Sequence, residues 1–264
     1  MRIAALLVAP AFLLSSCSEP PAAADAIEEV ATENPSVDDI VLETSDGARA
    51  TGTFYWAATE KPIATLLLLH QARGDGRGEY YPIVEEFTKA GFDLFLLDQR
   101  SGGDLFGGEN RTARAYDQDD ITYCDAIPDV DAAIDWLSKR KAPLFVVGSS
   151  YSAALALRAA DVHADKIAGF VAFSPASGEP MAGCDPSGHM AAAPRGYVLR
   201  PASEMELERV ALQLADFEEA GAQTLVVEEG VHGASMMIDK RTGHDMSVVR
   251  EAVIEFVTAR AATS

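Results

Sequence analysis

The sequence predicts an α/β fold: eight strands in a mostly parallel sheet, flanked by helices. Three observations carry this. Short apolar runs such as Leu66-Leu67-Leu68-Leu69 and Leu144-Phe145-Val146-Val147 show no polar alternation, as expected of strands covered on both faces. Stretches with helical periodicity separate most of these runs, which implies parallel strands joined by crossovers. The first two candidate strands are joined instead by Ser45-Asp46-Gly47, a hairpin-type turn, so the sheet starts antiparallel.

In chain order, strands are predicted at 40–44, 50–56, 64–70, 92–97, 144–148, 167–173, 197–201 and 223–227. Helices are predicted at 79–90, 127–140, 152–161, 204–220 and 244–260. No internal repeat interrupts the pattern. A chain of 264 residues with 48% hydrophobic residues can bury one large core, and such composition excludes wholesale disorder.

The beginning of the chain reads differently. Arg2 precedes an apolar run from Ile3 to Leu14, which has the length of a secretory leader and is too short to span a bilayer. Leu14-Ser15-Ser16-Cys17 resembles a bacterial lipobox, which implies a leader over 1–16 and lipidation at Cys17. With Ser18 behind the Cys, the expected destination is the cell envelope, at the periplasmic side of the outer membrane. Residues 17–38 read as an acidic flexible tether, and 39–262 as the folded domain.

The net charge of -20 comes from 41 acids against 21 bases and argues against a nucleic-acid partner. It is unevenly placed. Residues 18–48 hold nine acids and no Lys or Arg; 115–138 hold seven Asp and no base; 201–230 hold eight acids and Arg209. The remainder, including the strands, is nearly neutral. A lipid-anchored monomer acting on a small molecule fits this balance.

The fifth predicted strand leads into Gly148-Ser149-Ser150-Tyr151-Ser152, a G-x-S-x-small turn followed by a small-residue helix. A sharp strand-to-helix turn lifts a Ser hydroxyl above the sheet, and the residues two either side must be small. Ser150 satisfies this. Ser149 would place Val147 at the tight position, and Ser152 falls inside the helix.

On these residues the chain resembles the α/β-hydrolase family, closest to its dienelactone-hydrolase-like and esterase branches, without a large lid domain. His70-Gln71-Ala72 is similar to the family's oxyanion strand, with Gln71 in place of the usual Gly. Asp98-Gln99-Arg100-Ser101-Gly102-Gly103 is similar to its D-x-R-G-x-G turn. The resemblance implies oxyanion donors at the Ala72 and Tyr151 N–H groups. It also implies the chain order Ser, acid, His. His232, after the eighth strand and before Gly233, stands where the family has its base, with His244 in reserve. His70 reads as structural, His163 as a surface residue, and His189 as a loop residue near the pocket. The acid is expected after the seventh strand, at Glu206 or alternatively Glu204, with Asp185 and Asp216 as remote choices.

The loops 98–124 and 174–195 emerge on the active-site side. They carry Cys124 and Cys184, which an exported compartment favours as a disulfide; the alternative is two free thiols. Arg73, Arg77, Arg100, Arg111 and Arg114 follow strands three and four. They serve either to neutralise neighbouring acids or to recognise an anionic substrate group. The expected activity is that of a serine hydrolase cleaving a carboxylic ester through an acyl-enzyme, needing no metal or organic cofactor. The alternatives are a peptidase or amidase on the same fold, or a non-catalytic binding lipoprotein.

Overall fold

Successive residues of a strand face opposite sides of its sheet, and here both sides are apolar. In a computed structural model, which describes residues 37–264, Leu67, Leu69 and Val146 pack into one layer and Leu66, Leu68 and Phe145 into the other, all fully buried. The expected leader, Cys17 and the tether up to residue 36 lie outside the described residues.

The strands are β1 (Val37–Glu43), β2 (Arg49–Tyr55), β3 (Ala64–Leu69), β4 (Phe92–Asp98), β5 (Leu144–Ser149), β6 (Ile167–Phe173), β7 (Gly196–Pro201) and β8 (Gln223–Val227). Their spatial order is β1-β2-β4-β3-β5-β6-β7-β8. β2 runs antiparallel to both β1 and β4, and every other pairing is parallel. The helices are α1 (Gly76–Lys89), α2 (Ile127–Leu137), α3 (Tyr151–Val162), α4 (Glu208–Glu219), α5 (Asp239–Thr242) and α6 (Ser247–Ala261). Residues of α2, α3 and α4 share one core layer, and residues of α1 and α6 share the other. Each fully buried Leu or Phe in these layers contributes about 2 kcal/mol. No helix among the described residues is long and apolar enough to cross a membrane.

Four boundaries differ from expectation for local reasons. β1 begins at Val37, inside the expected tether. Its polar residues are employed at the sheet edge: Asp38 accepts from the Trp56 indole at 2.9 Å and Asp39 from the Thr53 hydroxyl at 2.9 Å. α1 begins at Gly76 because Asp75 caps it, accepting the Gly78 N–H at 2.6 Å. The helix expected over 204–220 is broken: Ala202–Glu206 form a 3-10 turn directly after β7, and α4 starts only at Glu208. Similarly, Gly243 in the left-handed region (φ 79°) ends α5 and separates it from α6, so the expected start at His244 moves to Ser247.

Candidate active site

Gly148, the second-last residue of β5, packs against α3, and a Cβ there would collide with the Ser152 carbonyl and lie only 2.6 Å from the Ala153 Cα. That close approach forces the turn. Ser150 takes the strain, with φ 60° and ψ -118°, a region that costs a non-glycine residue roughly 1–3 kcal/mol. Its N–H is held by the Phe173 carbonyl at 2.9 Å, and its own carbonyl accepts from Ala153 and Ala176 at 3.1 Å.

The two rival serines are occupied. Ser149 is buried and donates to the Glu79 carboxylate at 2.6 Å while accepting the Ala234 N–H at 2.8 Å. Ser152 is buried and accepts the Ser149 N–H at 2.9 Å and donates to the Leu69 carbonyl at 2.7 Å. Ser150 alone of the three is partly exposed.

The turn expected to form the oxyanion site absorbs Gln71 without difficulty because the positive φ falls at Arg73 (φ 63°) and not at residue 71. The turn closes through Gly74 N–H to the Gln71 carbonyl at 3.0 Å, and the Gln71 N–H donates to Glu79 at 2.6 Å. Beside it, His70 is wholly buried, and burial pushes its pKa down, so it stays neutral. Its Nε2 accepts the Gln99 N–H at 3.0 Å and its Nδ1–H reaches the Gln71 carbonyl at 2.9 Å. His70 therefore clasps the oxyanion turn to the Asp98–Gly103 turn, the structural role expected of it. Among the described residues, the Ala72 and Tyr151 N–H groups donate to no protein acceptor.

His232 Nδ1 meets Glu204 Oε1 at 2.6 Å. The preferred acid, Glu206, is corrected by this geometry: it is exposed, while Glu204 reaches the imidazole. The cause lies in the 3-10 turn after β7. Buried Arg200, at the end of β7, grips Glu204 four residues on, its guanidinium 2.6 Å from Oε2. Burial alone raises the Glu204 pKa, but hydrogen bonds from His232 and Arg200 outweigh it, and the carboxyl is held below its usual range. Arg200 also donates to the Pro175 carbonyl at 2.6 Å and to Gln213. A buried Arg pinning the acid was not evident in the sequence, where Arg200 passes for a strand residue.

The loop that carries His232 is tied down by its next two residues. The Gly233 N–H donates to Ser174 at 3.1 Å and the Ala234 N–H to Ser149 at 2.8 Å. Gly233 has φ 69°, and a Cβ there would press on the Ser149 and Gln71 side chains. With Nδ1 engaged by Glu204, Nε2 is the free nitrogen of His232. No hydrogen bond joins Ser150 Oγ to His232 among the described residues.

The remaining histidines bond elsewhere: His163 with Asp131 at 2.9 Å, His189 with Asp161 at 2.8 Å, and His244 with Glu229 at 3.2 Å. Asp185 caps a 3-10 turn through Ser187, and the described hydrogen bonds and ion pairs of His232 include neither it nor Asp216. Cys124 and Cys184 form a disulfide that joins the two long loops. The arginine cluster divides. Arg100 pairs with buried Asp129 at 2.7 Å and with Asp46; Arg111 pairs with Asp98 and Asp39; Arg114 pairs with Glu109. For these three the charge-neutralising reading holds.

Residues 60–208 match the model of a family described as serine aminopeptidase, S33. No curated protein matches the chain in sequence. Among solved structures, a thermostable carboxyl esterase from Bacillus coagulans aligns over 86% of this chain and all of its own, with TM-score 0.65 and 13% identity. A Pyrococcus furiosus esterase aligns over 86% of this chain and 92% of its own, with TM-score 0.64 and 16% identity. A Klebsiella pneumoniae protein described as a dienelactone hydrolase aligns over 88% of this chain and all of its own, with TM-score 0.64 and 11% identity.

Proposed function

The chain belongs to the S33 family of α/β hydrolases, and from that premise we propose that it is a serine hydrolase that cleaves a carboxylic ester. Ser150 Oγ attacks the acyl carbonyl and passes its proton to His232 Nε2. The leaving alcohol takes that proton, and water, activated by the same imidazole, releases the acyl group from Ser150. Glu204 fixes the Nδ1–H tautomer of His232 and stabilises the imidazolium. The Ala72 and Tyr151 N–H groups receive the developing oxyanion, an interaction whose loss costs roughly 3 kcal/mol per donor. Catalytic hydrogen bonds tighten when substrate binds, so the open Ser150–His232 pair is compatible with this chemistry.

The observation that carries the reading is the strained, partly exposed Ser150 standing between two serines that are each consumed by buried hydrogen bonds. Placement in the periplasm, anchored through Cys17, is part of the same proposal and rests on the lipobox-like residues alone. A second reading, aminopeptidase activity, is favoured by the description of the matched family. Turnover of p-nitrophenyl acetate against alanine p-nitroanilide tests the choice. The proposal expects the ester to be hydrolysed at least 10²-fold faster in kcat/KM. Faster cleavage of the anilide would overturn it in favour of the peptidase.

A further inference from the structure

Glu79 takes no part in the proposed chemistry, yet it lies directly beneath it and is 1% exposed. Its Oε2 accepts the Gln71 N–H at 2.6 Å and its Oε1 accepts the Ser149 hydroxyl at 2.6 Å. Ser149 Oγ in turn accepts the Ala234 N–H at 2.8 Å. One carboxylate on α1 thus ties together the residue before Ala72, the residue before Ser150 and the second residue after His232. No base within ion-pair distance compensates it among the described residues. Arg241, on α5, directs its guanidinium to the Gly78 and Glu79 carbonyls and the Ser235 hydroxyl.

The bonding pattern favours the charged form. The Gln71 N–H can only donate. The Ala234 N–H can only donate and uses a lone pair of Ser149, whose hydroxyl proton then needs an acceptor of its own. An ionised Glu79 accepts from both Gln71 and Ser149. A neutral carboxyl carries its proton on one of those two oxygens, which weakens that oxygen as an acceptor for Ser149 or Gln71 and adds an O–H donor that needs a partner of its own.

We propose that Glu79 is a positioning residue whose ionised carboxylate holds the oxyanion turn, the Ser150 elbow and the His232 loop in one arrangement. It acts through the Ala72 N–H and His232, not on substrate, and the inference rests on the Ser150–His232 reading above. Burial pushes the Glu79 pKa up to about 7, against hydrogen bonds from Ser149 and Gln71 and the attraction of Arg241 and His232. The other titratable groups that face it are Tyr80 on its own helix and Tyr151 on α3, both pushed well above the ordinary tyrosine value by burial. Activity therefore requires two deprotonated groups on the acid side, the His232 imidazole and Glu79.

The test is the second-order rate of labelling by a fluorophosphonate probe from pH 5 to 9, for the wild-type chain and Glu79→Gln. Gln keeps the shape but donates towards Ser149. The wild type is expected to lose rate as the square of proton concentration at low pH. Glu79→Gln should lose it as the first power and run on the order of 10²-fold slower at pH 8, the cost typical of a small misplacement of catalytic groups. A merely structural role would lower the rate without changing the order in protons. If Glu79→Gln does not fold, Ser149→Ala serves: losing that hydrogen bond should move the acid limb to higher pH, and an unmoved limb overturns the proposal. Equal rates and equal proton order in wild type and Glu79→Gln also overturn it while leaving the serine-hydrolase reading intact. A wild type that never labels removes that reading, and this one with it.

Discussion

Glu204→Gln keeps the length of the side chain and removes its charge, so it isolates what the carboxylate gives to His232. The two groups are 2.6 Å apart, atom to atom, and their charge centres about 4 Å apart. Two unit charges at that separation interact by about 4 kcal/mol at an effective dielectric of 20. Two features reduce this. The His232 side chain is 53% exposed, and Arg200 shares the Glu204 charge through its other oxygen. About 3 kcal/mol remains, which is a loss on the order of 10²-fold in kcat. Glu206→Gln, altering an exposed side chain, should stay within about twofold. The assay is initial-rate hydrolysis of p-nitrophenyl acetate, with a thermal melt of each variant to correct for folding. That correction matters because Glu204→Gln leaves buried Arg200 without its carboxylate, a change that costs about 3 kcal/mol. The reasoning fails if Glu206→Gln is the damaging change, or if Glu204→Gln, corrected for folding, turns over like wild type.

Other expectations concern stability. Arg100→Met strands Asp129, which is fully buried, and should cost about 3–5 kcal/mol in urea unfolding, lowering Tm by roughly 10 °C or more; a melt within 2 °C of wild type would contradict it. Reduction of Cys124–Cys184 reopens a loop spanning 60 residues in sequence, and the chain-entropy model puts the loss near 4 kcal/mol. Glu79 makes stability depend on pH. Its folded pKa, about 7, lies above its ordinary 4.5, so its contribution is complete below the ordinary value and lost as pH rises through 7. The loss approaches about 3 kcal/mol by pH 9. Urea titrations at pH 5, 7 and 9 should show this decline in wild type and its absence in Glu79→Gln.

Much of the frame was legible because burial on both faces leaves a plain mark. Leu66–Leu69 and Leu144–Val147 could be little else than central strands, and all are buried in the sheet. The elbow was legible for a related reason: the collision that a Cβ at Gly148 would cause permits no other residue there. What escaped the sequence depends on partners distant in the chain. Asp38 looks like a tether residue until Trp56 is placed opposite it. The choice between Glu204 and Glu206 turned on a two-residue shift of register, decided by Arg200 and by a 3-10 turn that periodicity cannot distinguish from the start of a helix. In the sequence Glu79 is marked only as the first residue of the helix predicted over 79–90. Only the meeting of Gln71, Ser149 and Ala234 around it shows a buried acid, where its charge costs stability above pH 7 and serves the arrangement of the site.

The most direct measurement is the site of covalent modification. Full-length protein treated with a fluorophosphonate at pH 8 and digested should yield a single adduct per chain, mapped by mass spectrometry to Ser150 and absent from Ser150→Ala. An adduct on Ser149 or Ser152, persistent labelling of Ser150→Ala, or a folded wild type that takes up no probe would contradict Ser150 as the nucleophile.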